Sequence, residues 1–150
     1  IIVMNSGRIE QVAPPLDLYF KPATRFVAEF IGLTNFINGR VVEKNDGLGA
    51  VEADQGLKVN CILPKEVKEG SEVLISARPE HIRIFKDKRE GACLKGKIVK
   101  RVHLGSIVDY KVVAGEREIR VQMPGSLRLF EEGEAVYLQL ESELCTAIPK

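Results

Sequence analysis

The chain has 150 residues, enough for one domain or for one domain with part of another, and 45% of them are hydrophobic against 29% charged, the balance of a chain that buries a core. Its 22 basic and 21 acidic residues leave a formal charge of +1, so no one-sign field draws it toward nucleic acid or an anionic membrane. No apolar run approaches the roughly 20 residues of a membrane span, and the first residues have neither the basic region nor the cleavage pattern of a secretion signal.

In chain order, Ile1-Ile2-Val3-Met4 is an apolar run, Asn5-Ser6-Gly7 is turn chemistry, and Arg8 to Val12 alternates polar with apolar. Together they predict a β-hairpin with no sheet of its own to join. Ala13-Pro14-Pro15 is a stiff break, after which residues 15–20 read as a short helical turn with proline near its first position, stopped by Lys21-Pro22. A second helix is predicted over 25–31, because Phe26 and Phe30, and Val27 and Ile31, are each four apart and form one apolar face. Gly32 is a natural stop.

From Asn35 the apolar period becomes two. Strands are predicted over 37–43, 49–53, 57–63, 72–78, 82–85, 93–103, 107–113, 119–123, 135–141 and 144–148, separated by Gly-containing or charged turns and, at Pro79, by a proline. Regularly spaced short strands of this kind make a small antiparallel barrel or sandwich.

Cys61, Cys93 and Cys145 are widely separated, and none stands beside a second Cys or a His in a metal-ligand spacing. They read as half-buried thiols of a reducing compartment. His81 and His103 offer a site only if the fold brings other ligands to them. Residues 91–97 match G-x-x-x-x-G-K, but Ile98 stands where a phosphate-binding loop needs Ser or Thr for Mg²⁺. The following residues also read as a strand, whereas the loop must open a helix. The match is read as a hairpin turn entering a strand.

Met4-Asn5-Ser6-Gly7-Arg8-Ile9-Glu10-Gln11-Val12 resembles the M-x-x-G-x-I-x-Q-x-G-x-P run that ends the nucleotide-binding domain of ABC importer ATPases. Ala13 stands where that family usually has glycine, which alters the turn locally. Leu18-Tyr19, Pro22, Phe26-Val27-Ala28, Phe30-Ile31-Gly32, Asn35-Phe36 and Gly39 are similar to the family's LYxxPxxxFVAxFIGxxNFxxG linker. Arg78-Pro79-Glu80 and Leu104-Gly105-Ser106 resemble two steps of its accessory region, the transport-associated OB-type (TOBE) domain.

The resemblance implies a mainly β fold: an OB-like antiparallel barrel of TOBE type, built of two interlocked β units, preceded by a short helical linker and a remnant hairpin. It divides the chain into 1–13, the end of an ATPase domain; 14–34, the linker; and 35–150, the TOBE domain. It implies a non-catalytic regulatory and dimerisation module of an importer ATPase subunit taking up iron(III), a polyamine or a related solute. No catalytic, cofactor or metal residue falls in this chain. ATP and Mg²⁺ would belong to an ATPase domain outside it. The implied partners are that domain, a second copy of the subunit and membrane permease subunits, with no nucleic acid, at the cytoplasmic face of the cell membrane. Phe26, Phe30 and Ile31 are the implied interdomain contacts, and partial exposure of this segment leads to an expectation of dimerisation or strand exchange through residues 1–32. The alternative is an oxyanion sensor of the molybdate-binding OB type, for which Ser106 and Lys111 are the candidate ligands.

Overall fold

Ser6 and Gly7, at φ 49° and 77°, turn β1 (Ile2–Asn5) back on β2 (Arg8–Val12). Two successive positive φ values are what a two-residue hairpin with right-handed twist requires, and Gly7 adopts its value without strain. This is the computed structural model of the chain, and it describes residues 1–127 and 129–150, with the backbone alone at Gln55.

Helices α1 (Pro15–Phe20) and α2 (Arg25–Ile31) follow, the first with proline in its opening turn. Thr24 caps α2, its side-chain oxygen accepting from the Val27 amide at 3.3 Å. Val3 from the hairpin, Leu18 from α1 and Val27 from α2 close on one another, with Ala13, Phe26 and Ile31 half-buried around them.

The chain divides into two units, one made of residues 1–77 and 142–150, the other of 78–141. In the first, β3 (Asn35–Asn45), β4 (Leu48–Ala53), β5 (Lys58–Ile62) and β6 (Glu72–Ala77) are closed into a barrel by the last strand, β12 (Thr146–Pro149), in the order β12-β5-β4-β3-β6. β12 runs antiparallel to β6 and parallel to β5, and every other pair is antiparallel. One parallel seam in a closed five-stranded barrel is the OB arrangement. Alternate residues fill the interior, among them Ile37, Val41, Val51, Val59, Val73 and Ile75, all at most 1% exposed.

The second unit is a five-stranded antiparallel sheet. Its strands β7 (Ile82–Phe85), β8 (Cys93–His103), β9 (Ile107–Ala114), β10 (Arg117–Pro124) and β11 (Ala135–Leu140) lie in the order β10-β9-β8-β11-β7. At its centre Tyr110 is buried with its hydroxyl accepting from the Phe130 amide at 3.1 Å, and the two rings meet edge to face at 6.3 Å. The phenol thereby keeps a polar partner inside an apolar core.

The mainly β, OB-like architecture and nearly every strand match the expectation from the sequence. Several boundaries differ by one or two residues, three of them for identifiable physical reasons. The strand expected over 72–78 ends at Ala77, because Pro79 opens a 3-10 turn (Pro79–His81) and holds Arg78 before it. The last strand, expected over 144–148, starts only at Thr146, after a 3-10 turn at Ser142–Leu144. β3 begins two residues earlier than the alternation suggests, because Asn35 is buried and donates its side-chain amide to the Ala77 carbonyl at 3.1 Å.

Candidate interaction surfaces

The hairpin carries apolar side chains on both faces. Val3 points into the cluster with Leu18 and Val27, and on the opposite face Ile2 stands across from Val12 and Met4 across from Ile9. These four side chains are 54 to 61% exposed. An exposed apolar strand face of this kind is a surface suited to being covered. Beside it, Phe26 and Phe30 stack at 6.0 Å with 19° between their planes. α2 directs Val27 and Ala28 inward, leaving Phe26 and Ile31 half-buried and Phe30 65% exposed.

Polar contacts hold this surface in shape. The Gln11 side chain donates to the Lys21 carbonyl at 3.0 Å and accepts from the Ala23 amide at 2.8 Å, gripping the turn between the helices. Thr24 donates to Glu10 at 3.1 Å. Thr146 of β12 donates to the Phe20 carbonyl at 2.6 Å, which ties the end of α1 to the barrel. The Arg25 guanidinium lies 4.8 Å from the centre of the Phe36 ring.

The two oxyanion candidates are placed apart. Ser106 is exposed in the β8–β9 connection, where its carbonyl accepts from the Gly125 amide at 2.8 Å. Lys111 lies five positions along β9, about 16 Å of extended chain away. Its ammonium is 3.0 Å from the Glu118 carboxylate. The structure does not bring these two side chains to one site. A cleft of about 440 Å³ opens elsewhere in this unit, lined by apolar side chains, among them Ile82 and Leu127, together with Glu80, Arg83 and Gln122. Arg83 is 2.8 Å from Glu141.

Residues 91–97 do not form a phosphate loop: they enter the extended strand β8. The second glycine of the match is there for packing. A Cβ at Gly96 would lie 2.7 Å from a Val112 methyl and 2.9 Å from the Val113 carbonyl oxygen, so only glycine lets β8 and β9 approach. Arg78-Pro79-Glu80 leads into the 3-10 turn, with Pro79 buried. Among the described residues no group of three or more His, Cys, Asp or Glu side chains is placed to hold a metal ion, and no helix is long and apolar enough to cross a membrane.

Cys61 and Cys145, far apart in sequence, are neighbours in the barrel interior. Burial, and then the adjacent Cys145, push the Cys61 thiol well above its ordinary pKa. Nothing in the sequence signals this pairing, because it depends on which strand closes the barrel.

The TOBE domain family matches residues 75–148. A spermidine/putrescine import ATP-binding protein, PotA, of Frankia alni is 34% identical over 100% of this chain and 36% of its own length. PotA 1 of Pseudomonas aeruginosa is 30% identical over 99% of the chain and 40% of its own. An uncharacterized ABC transporter ATP-binding protein of Bacillus subtilis, YurJ, is 30% identical over 95% and 41%. The chain thus spans about two fifths of the length of these relatives. Among solved structures, the cytoplasmic molybdate-binding protein ModG superposes with a TM-score of 0.63 over 86% of this chain and 99% of ModG, at 13% identity. That likeness is one of fold.

Proposed function

The chain belongs to the TOBE-domain region of ABC importer ATP-binding subunits, and we propose that it is the non-catalytic regulatory and dimerisation module of a subunit that energises uptake of a polyamine or iron(III). The observation that carries this reading is the extent of the similarity. It runs through hairpin, linker and both β units, over 100% of the chain for the Frankia spermidine/putrescine protein. Polyamine is favoured over iron(III) because two of these relatives are named for spermidine and putrescine import.

In this reading the outer face of the hairpin and Phe30 pack on an ATPase domain, which binds ATP and Mg²⁺. The two β units hold two subunits together at the cytoplasmic face of the membrane beside the permease. Regulation would require a contact that differs between two states of that dimer.

The test uses the whole subunit, intact or ending after the linker, reconstituted with its permease in vesicles. Retained ATP hydrolysis with weakened dimerisation and poorer coupling to spermidine uptake is the expected result. Loss of hydrolysis with nucleotide binding intact would mean that the region supplies a catalytic group. Uptake of iron(III) but not of polyamine would correct the solute.

The oxyanion-sensor reading draws support from the ModG fold likeness alone. Heating the chain with and without molybdate tests it, since a ligand bound only by the folded state raises Tm. With Ser106 and Lys111 apart, no shift is expected.

A further inference from the structure

We propose that Cys61 and Cys145 form a reversible intramolecular disulfide that locks the closing strand of the barrel in place. The parallel seam between β5 and β12 rests on one residue pair, Thr146 with Ile62, whereas β12 pairs with β6 at four. The Ile62 amide donates to the Cys145 carbonyl at 2.9 Å, so Cys61 and Cys145 each stand one step before the paired residues. Cys61 lies in β5 and Cys145 at the entry to β12, beside the pair that joins the two strands. Both side chains are in the interior, 0% exposed. Neighbouring strands lie about 4.8 Å apart, within the range of about 4.4–6.8 Å that a disulfide spans between Cα atoms. Both are present as thiols. Cys145 stands just after the 3-10 turn Ser142–Leu144, its amide donating to the Ser142 carbonyl at 3.1 Å, where the chain enters the barrel. A link there closes the seam with the fewest backbone contacts.

The oxidant class is a small disulfide such as oxidised glutathione. One cysteine thiolate attacks it, forming a mixed disulfide and releasing one glutathione thiolate. The second cysteine thiolate then attacks the protein sulfur of that mixed disulfide and displaces the second glutathione. Two electrons pass to the oxidant, each cysteine loses its proton, one protein S–S bond forms and two glutathione thiols leave. In the closed barrel neither sulfur is reachable, and burial keeps Cys61 protonated, so the reaction waits on transient lifting of β12. The short closing strand thus sets the rate, and the finished bond prevents further lifting.

The experiment uses the full chain carrying Cys93→Ser, which removes the third thiol, equilibrated in glutathione buffers of rising oxidation. The expected result is joint loss of both remaining thiols with no added mass, a 61–145 link in the peptide map of the monomer, a higher Tm, and full reversal by dithiothreitol. Cys61→Ala or Cys145→Ala should abolish the oxidation-dependent Tm rise. If either variant does not fold, the peptide map of the Cys93→Ser protein still decides. Stable glutathione adducts, thiols that persist in the oxidising buffers, or a linked form that melts lower than the reduced one would overturn the proposal.

Discussion

Lys44 shows how one side chain organises a loop the sequence leaves as mere charge. Its ammonium donates to the carbonyls of Pro64 at 3.4 Å and Lys65 at 2.8 Å, and to that of Val67. Three carbonyls that face one another repel unless a cation sits between them. Lys44→Met keeps the stem and removes that cation, so it should lower stability by about 1–3 kcal/mol. Urea unfolding checks it, with a lower midpoint and an unchanged slope. Cys61 gives a prediction that depends on pH. Its pKa is raised in the folded barrel by burial. Below the unfolded thiol's pKa both states hold the proton and nothing is lost. Above roughly pH 8.5 the unfolded chain releases it and the folded chain does not, so stability falls by about 1.4 kcal/mol per pH unit from this group. Cys61→Ala should flatten the alkaline limb of a stability–pH curve relative to the parent, and equal slopes in the two proteins would refute the assignment. Neither effect is visible from residue type, because Lys44 and Cys61 owe their roles to what the fold places around them.

At the scale of elements, period and punctuation carried most of the information. α1 and β8 have the bounds that prolines, glycines and alternation predict, since each has a breaker at its ends. α2 is where pattern alone was insufficient. Phe26, Phe30, Val27 and Ile31 all suit an apolar face, but seven residues make barely two turns, and the hairpin contacts the side that carries Val27. Phe30 is therefore left outside. The hairpin itself yields the element-scale prediction. Ile2, Met4, Ile9 and Val12 are exposed on one face while Val3 anchors the other. Replacing the four with threonine keeps strand propensity and removes the apolar face. The isolated chain should self-associate through this face and become monomeric with the four substitutions, as read by light scattering, while Tm stays within a few degrees. A substituted chain that remains dimeric would place self-association elsewhere.

At the scale of the whole chain, alternation announces strands but not partners, and for that reason the closure of the barrel was not legible. β12 follows β11 in sequence yet pairs with β5 and β6, each separated from it by the whole of the second unit. The first unit is thus discontinuous, while the second, 78–141, is one continuous stretch. The two should differ in what they need in order to fold. Residues 78–141 contain all five strands of their sheet and the Tyr110–Phe130 core contact, so this segment expressed alone should give a dispersed amide spectrum. A chain ending at Glu141 keeps that sheet but loses β12, which exposes the ladder edges of β5 and β6 and uncovers Val59, Val73 and Ile75. Its barrel resonances should collapse while those of 78–141 persist. A synthetic peptide of residues 142–150 added in trans should restore them, because β12 contributes side chains and ladder bonds that do not depend on the chain connection. Persistence of the barrel without β12 would show that the antiparallel strands β3 to β6 are self-sufficient and that the closing strand is an addition to a finished core.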